Sequence, residues 1–339
     1  MQINVGAPYT GKRRNPKCDV VATTHTTPVQ RRSAAVTRKM EAPVSARVAV
    51  ESFWDAATGS WQYVFHDPAT MKGAIVDPVW NFDPLSGSTT TRSAEEILRY
   101  VRATGIEIVW ILDTHPHADH FSAARWLKER LGAPTGIGEH VVRVQQLWKD
   151  IYNLGDDVPA DGSQWDRLFR DSETFMVGTI EVRVMYSPGH TLASVTYVAG
   201  DAAFVHDTLM MPDSGSSRAD FPGGDSSTLF RSVSAILALP DETRLFVGHD
   251  YTPNGREPMC VATVAEQKRS NIHVGGNVSE AEFRKMRNAR DATLPLPKLM
   301  LAALQINMRG GCKPATESNG RSYLKIPLDR FEIRNPDAV

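Results

Sequence analysis

The sequence predicts an α+β fold of two β-sheets packed on each other with helices outside, and three observations predict it. Short β-prone runs separated by turn residues occur in two groups, one over residues 48–76 and one over residues 175–205. Each group is followed by stretches that read as helices. Side chains able to bind a metal stand where strands end, in Thr114-His115-Pro116-His117-Ala118-Asp119-His120 and again after later strands. At 339 residues and 41% hydrophobic, the chain can bury a large core in one or two domains.

Residues 1–45 read as a basic leader, residues 46–311 as the folded domain and residues 312–339 as a C-terminal tail. The leader holds Lys12, Arg13, Arg14, Lys17, Arg31, Arg32, Arg38 and Lys39 against Asp19 alone, which leaves 30 basic and 38 acidic residues beyond position 40. That balance excludes a globally basic nucleic-acid binder. The leader is rich in Ser and Thr, as organelle transit peptides are, but Pro8, Pro16 and Pro28 interrupt any amphipathic helix. A disordered tail, or an upstream start with Met40 as initiator, is the preferred reading. No apolar run reaches about 18 residues, so no membrane span is expected, and no signal-peptide core is visible. Cys18, Cys260 and Cys312 are too scattered for a disulfide framework or a zinc knuckle, which fits a reducing compartment. The expected location is cytoplasmic, or mitochondrial if the leader is a transit peptide.

Within the domain, Val48-Ala49-Val50, Trp61–Phe65 and Gly73–Val76 form an opening meander. The third run ends in Asp77-Pro78-Val79, and a Pro/Gly/Ser-rich loop follows through Thr91. Ser93 and Glu96 have the spacing of a capping box ahead of Ile97, Leu98 and Val101, and Gly105 closes that helix. Glu107–Leu112 is a buried-looking strand ending at the histidine cluster. Phe121–Leu131 reads as a helix, because Ala124, Leu127 and Leu131 have helical spacing. A polar loop runs from Leu154 to Gln164. Strands then come densely, at Phe175–Val177, Ile180–Tyr186, Ser194–Val198 and Ala202–Val205. Leu229–Leu239 looks helical, and Arg244–Val247 is a strand ending at Gly248-His249. Beyond Pro258 the chain turns helical and polar, with Pro295 and Pro297 marking a late loop.

Imidazole and carboxylate together suit borderline first-row metals such as Zn, Fe or Mn. On an extended segment His115 and His117 share a face, and Asp119 and His120 follow as the chain enters the next element. Further ligand types end later strands: His190 in Ser187-Pro188-Gly189-His190-Thr191, Asp207 in His206-Asp207-Thr208, and His249 in Gly248-His249-Asp250. Each alone reads as a turn residue or helix cap. Their joint recurrence after strands points to one site.

This arrangement resembles the metallo-β-lactamase superfamily, whose pattern is H-x-H-x-D-H followed by a distant H, D and H. It maps onto His115, His117, Asp119, His120, His190, Asp207 and His249 with nothing missing. The resemblance implies an αββα sandwich, two mixed β-sheets face to face with helices outside and a metal site at one edge. It also implies that in two-metal members His115, His117 and His190 hold one ion. Asp119, His120 and His249 would hold the other, with Asp207 bridging.

Two branches share these residues. Glyoxalase II enzymes cleave hydroxyacyl-glutathione thioesters, and persulfide dioxygenases oxidise glutathione persulfide to sulfite. Three further stretches resemble the dioxygenases. Ile75-Val76-Asp77-Pro78-Val79 is similar to their I-D-P-V strand end, and Ser217-Arg218-Ala219-Asp220-Phe221 to their G-R-T-D-F segment. Leu296-Pro297-Lys298 with Asn307-Met308-Arg309-Gly310-Gly311 is similar to their closing L-P-K-P…N-M-R-C-G. The sequence departs from them at Gly310, where some carry Cys, and at Ser216-Ser217, in place of Cys-Gly. Pro222-Gly223-Gly224-Asp225 reads as a surface turn, with a lid over the substrate as the alternative.

The resemblance therefore implies a persulfide dioxygenase with one Fe(II) per chain on His115, His190 and Asp207. His117, Asp119, His120 and His249 would orient ligands and shuttle protons. Arg218 would contact a substrate carboxylate and Tyr251 the sulfur end. The expected partner is a small thiol substrate such as glutathione persulfide, with no nucleic acid and no membrane, and a homodimer stays open. The alternative is a dinuclear hydrolase of glutathione thioesters with two Zn or a Zn/Fe pair, or another hydrolase such as a lactonase. An antibiotic β-lactamase is disfavoured because no export signal is visible. A third reading, a non-enzymatic metal-binding module, is opposed by the complete ligand set.

Overall fold

The computed structural model describes residues 47–156 and 158–332. The predicted leader, with Cys18 and Met40, lies outside them, as do the last residues of the predicted tail. The chain opens with an antiparallel meander, β1 (Ala49–Asp55), β2 (Ser60–His66) and β3 (Lys72–Val76). Where a loop is expected before Thr91, the chain instead forms a hairpin of β4 (Val79–Asp83) and β5 (Ser88–Thr90).

The first helix, α1 (Arg92–Thr104), starts at Thr91, and Gly105 ends it in the left-handed conformation, φ 71°. The predicted Ser93 cap is displaced by tertiary bonding. Its hydroxyl donates to Asp55 Oδ1 at 2.9 Å and its N–H to Asn81 Oδ1 at 3.0 Å. β6 (Glu107–Leu112) follows, parallel to β3. The predicted helix 121–131 begins late, because Phe121–Ser122 forms β7 and pairs with Trp80 and Val79. Phe121 also stacks on Phe82 with centroids 4.4 Å apart. The helix proper is α2 (Ala124–Leu131). β8 (Thr135–Gly138), α3 (Val141–Tyr152) and β9 (Arg167–Phe169) complete this half. The sequence reading does not include α3, although its buried Val141, Val144, Trp148 and Tyr152 have helical spacing.

The second half runs β10 (Thr174–Val177), β11 (Ile180–Tyr186), β12 (Val195–Ala199) and β13 (Ala202–His206). After α4 (Ser226–Leu237) come β14 (Arg244–Val247), β15 (Val261–Thr263), α5 (Val264–Ser270), α6 (Glu280–Asp291) and α7 (Met300–Asn307). Twelve of the strands make two six-stranded mixed sheets, ordered β1-β2-β3-β6-β8-β9 and β10-β11-β12-β13-β14-β15, and the other three make a small sheet ordered β5-β4-β7.

Alternation along the strands explains the layering. Tyr63, Phe65 and Val76 of the first sheet meet Tyr197, Phe204 and Phe246 of the second, and Phe65 stacks on Phe204 at 4.9 Å. Outward-facing Val64, Ile75 and Ile111 pack on α1 and α2 through Ile97, Val101 and Leu127. On the opposite face, Ala203, Val205 and Leu245 pack on α4 and α6 through Leu229, Val233 and Phe283. The order of layers is therefore helix, sheet, sheet, helix, as the sequence predicts.

The described part of the tail beyond Gly311 has no helix or strand. It packs back on the domain: Leu324 lies against the cluster of Phe121, Ala303 and Ile306, and the Lys325 backbone exchanges hydrogen bonds with the Gln305 side chain at 2.9 and 2.7 Å. Among the described residues, no helix is long and apolar enough to cross a membrane.

Candidate metal centre

The site lies where β6, β11, β13 and β14 end, since the turns after those strands carry His115–His120, His190, Asp207 and His249. The two sheets are tied here by backbone bonds, Val195 N–H to Thr114 O at 3.0 Å and Trp61 N–H to Gly248 O at 2.8 Å. All seven predicted ligand residues gather in this one place. They form three overlapping sets whose ligand atoms lie within 4.8 Å of one another: His115/His190/Asp207, His117/Asp119/His120 and Asp119/Asp207/His249.

Hydrogen bonds fix which ring nitrogen each histidine presents. The Thr114 hydroxyl donates to Asp77 Oδ2 at 2.8 Å, so at 3.0 Å it can only accept from His115 Nδ1–H. That leaves His115 Nε2 bare, buried without a hydrogen-bond partner, 3.8 Å from Asp207 Oδ2. His190 Nδ1–H donates to Arg218 O at 2.9 Å and turns Nε2 toward Asp207 Oδ2 at 3.6 Å. His120 Nδ1–H likewise donates to Phe121 O at 3.0 Å, leaving Nε2 3.9 Å from Asp119 Oδ2. A neutral imidazole with one nitrogen tied back and the other bare is the usual form of a metal-binding histidine.

Burial and the neighbouring histidines hold His115 well below its ordinary pKa, and burial lowers that of His190. Both therefore keep a free lone pair. Burial also works against charge on His117, but the Asp77 carboxylate 3.0 Å away overcomes it and raises that group to about 9. The His117 ring centroid stands 4.2 Å from that of His115 and 4.2 Å from that of His120, so His117 adjoins both groups.

His249 differs from the rest. Its Nδ1 lies 2.5 Å from Asp207 Oδ1 and its Nε2 2.6 Å from Asp119 Oδ2, where Ser60 Oγ also donates at 3.0 Å. Although burial opposes it, the two carboxylates hold His249 well above its ordinary pKa. In this arrangement Asp119, His249 and Asp207 form a continuous ion-pair chain.

The centre forms the floor of a cleft of about 1000 Å³ that extends past Phe221 to the 294–299 loop and Arg290. Tyr251 stands at its rim, 63% exposed, with its ring parallel to His249 at 5.8 Å. Arg218 lines the cleft, but its guanidinium is held by Asp220 at 2.6 and 2.8 Å and by Pro295 O at 2.6 Å. Its contribution to the centre is the carbonyl that orients His190.

Several supporting residues were not assigned a role from sequence. Asp77 receives both the N–H and the hydroxyl of Thr114, from a left-handed backbone at φ 50°. Asn307 Nδ2 donates to His117 O at 2.8 Å and His120 O at 2.7 Å, while its Oδ1 accepts from Ser122 N at 2.7 Å. Both residues lie in segments that carry the family resemblance, Ile75–Val79 and Asn307–Gly311. Ser60 gave no signal at all.

Fold and centre together agree with sequence comparison. The family model described as the metallo-beta-lactamase superfamily matches residues 82–249. The chain is 59% identical over 283 residues, 84% of its length, to the "Beta-lactamase hydrolase-like protein" of Xylella fastidiosa, and spans 65% of that protein. It is 44% identical to "Glyoxylase B2" of Dictyostelium discoideum over 84% of this chain and 99% of that one. It is 26% identical to the human mitochondrial persulfide dioxygenase ETHE1 over 80% of this chain and 92% of that one. Among solved structures, ETHE1 from Myxococcus xanthus superposes with a TM-score of 0.62 at 29% identity, covering 78% of this chain and all of the other. The chain belongs to the metallo-beta-lactamase superfamily.

Proposed function

We propose that the chain is a persulfide dioxygenase that uses one Fe(II), held by His115, His190 and Asp207. The carrying observation is an asymmetry in the cluster. His115 and His190 Nε2 flank Asp207 Oδ2 at 3.8 and 3.6 Å, and His115 Nε2, like both ring nitrogens of His117, is buried without a hydrogen-bond partner, while Asp119 and His249 are bonded to each other. Two imidazoles and one carboxylate form the facial donor set of non-haem Fe(II) oxygenases, so the residues present fit that ion. When bound, Fe(II) supplies open positions for the persulfide sulfur and O₂. The overall change is glutathione persulfide, O₂ and water to glutathione, sulfite and two protons.

The protein's own groups have definable tasks in this reading. Thr114 Oγ1 and Arg218 O hold His115 and His190 in one tautomer. Asp119 Oδ2 and His249 Nε2 share a proton at 2.6 Å, which holds both side chains in place at the cleft floor. Tyr251 closes the rim above His249, where its ring shields the sulfur end from solvent.

A second reading, a two-metal glutathione thioester hydrolase, draws on the His117/Asp119/His120 set and on the similarity to Glyoxylase B2. One experiment separates them. The chain is purified anaerobically with Fe(II), metal per chain is measured, and O₂ uptake is followed with glutathione persulfide. About one iron and rapid uptake supports the dioxygenase. Two metals, no uptake and cleavage of lactoyl-glutathione would replace it with the hydrolase.

A further inference from the structure

We propose that the buried Arg287–Asp291 pair of α6 positions His190 by clamping the loop that carries its hydrogen-bond acceptor. The proposal rests on the metal-centre reading above and adds residues outside the ligand cluster. His190 owes its tautomer to Arg218 O, which sits in the irregular segment between Ser216 and Phe221. A carbonyl in such a segment is aimed only as well as its flanking peptides are held.

Both flanks are held by α6. Arg287 Nη1 donates to Ser216 O at 3.1 Å, and Asp291 Oδ2 accepts from Ala219 N at 2.9 Å. Arg287 Nε donates to Asp291 Oδ1 at 2.9 Å, joining the two grips into one unit. Their side chains are 1% and 4% exposed, so neither competes with water for its partners. The Arg218 side chain adds an outer anchor through Asp220 and Pro295 O.

Stability alone does not account for the pair, because apolar residues of similar volume commonly serve a buried position as well as an ion pair does. Apolar residues cannot supply the two bonds to the 216–219 backbone. Those bonds make the pair a positioning device: they fix Arg218 O, which holds His190 Nδ1–H, which presents Nε2.

The test uses the full chain, Co(II) as probe and the variant Arg287→Met/Asp291→Leu, which removes both grips without leaving an unpaired buried charge. The variant leaves Ser216 O and Ala219 N–H without these partners, so thermal unfolding is expected below wild type, and the comparison is made where far-UV circular dichroism shows the variant folded. Co(II) affinity should fall about tenfold, the lower end of what loss of an outer-shell partner does. The His190 Nδ1–H proton, followed by NMR, should exchange faster. Unchanged affinity and exchange in a folded double variant overturns the clamp.

If the double variant does not fold, Arg287→Lys serves instead. It keeps the charge beside Asp291, but an ammonium lacks the fork that spans Asp291 and Ser216 O. Faster exchange with weaker Co(II) binding supports the proposal, and wild-type values overturn it. His115→Ala is the control: Co(II) binding by the wild type that is lost in this variant establishes the centre. A wild-type chain that binds no Co(II) defeats the metal-centre reading itself, and the clamp with it.

Discussion

Replacing Asn307 with Ala should damage the centre from outside it, and the loss can be worked from three hydrogen bonds. Asn307 is 2% exposed; its amide donates to the carbonyls of His117 and His120 and accepts from Ser122 N–H, all at 2.7–2.8 Å. Truncation leaves one buried donor and two buried acceptors unmatched, at about 1–3 kcal/mol each when nothing replaces the partner. Water entering the small void can satisfy part of this, so the expected destabilisation is about 3–5 kcal/mol. Asn307→Asp gives a sharper contrast, because it keeps the acceptor for Ser122 but sets a carboxylate against two carbonyl oxygens. It should be no better than Ala, although it is nearly isosteric. Urea unfolding of both variants, with metal content measured alongside, reads the effect. An Asp variant that unfolds like wild type, or an Ala variant within about 1 kcal/mol of it, would refute the view that Asn307 staples the histidine loop.

Other expected outcomes follow from single contacts. His115→Ala should lose metal and turnover while keeping its far-UV circular dichroism; retained biological function without metal would favour the non-enzymatic module. Gly248→Ala would place a Cβ 2.5 Å from Asp207 Oδ1 and 3.1 Å from the His206 backbone, displacing the shared carboxylate, so metal affinity should drop at least about tenfold. A metal dissociation constant equal to wild type would show that the strand end yields freely. His273 accepts Ser216 N–H at 2.9 Å, and burial with the nearby Arg287 and Arg290 lowers it to about 4. Below pH 6.5 the unfolded chain takes up a proton that the folded chain refuses, so this contribution to stability is present above 6.5 and lost as pH falls toward 4. His273→Gln should therefore lose less stability than wild type between pH 6.5 and 4.5, and parallel pH profiles would rule that out.

The resemblance carried the fold class and all seven cluster residues because the signals are local. Alternation, turn residues and ligand types at strand ends are each visible within a few positions of sequence. What was not legible depends on partners far away in the chain. The helix expected at Phe121 loses its first turn to Val79 and Trp80, and Ser93 leaves its cap for Asp55, 38 residues earlier. Arg218 shows the same limit at the site. Its guanidinium is bonded to Asp220 and to Pro295 O, 77 residues away, and its carbonyl to His190, contacts that no local signal announces.

Partners distant in the chain also bear on whether the cluster holds one metal or two. The seven residues are common to both branches, so their identity cannot decide. What differs is which atoms are already bonded to one another. Thr114 and Arg218 leave His115 and His190 with bare nitrogens on either side of Asp207 Oδ2, whereas His249 is held between Asp119 and Asp207 Oδ1. A second ion at Asp119 and His249 would have to displace that ion-pair chain and the Ser60 hydroxyl bonded to Asp119. Weakening the chain should therefore favour the second ion: Ser60→Ala removes one bond from Asp119 without touching His115, His190 or Asp207. Zn(II) titration of this variant is expected to show a second equivalent binding more tightly than in wild type, while the first is unchanged. Weaker binding of both equivalents would mean that Ser60 supports the metal sites and does not guard against the second ion.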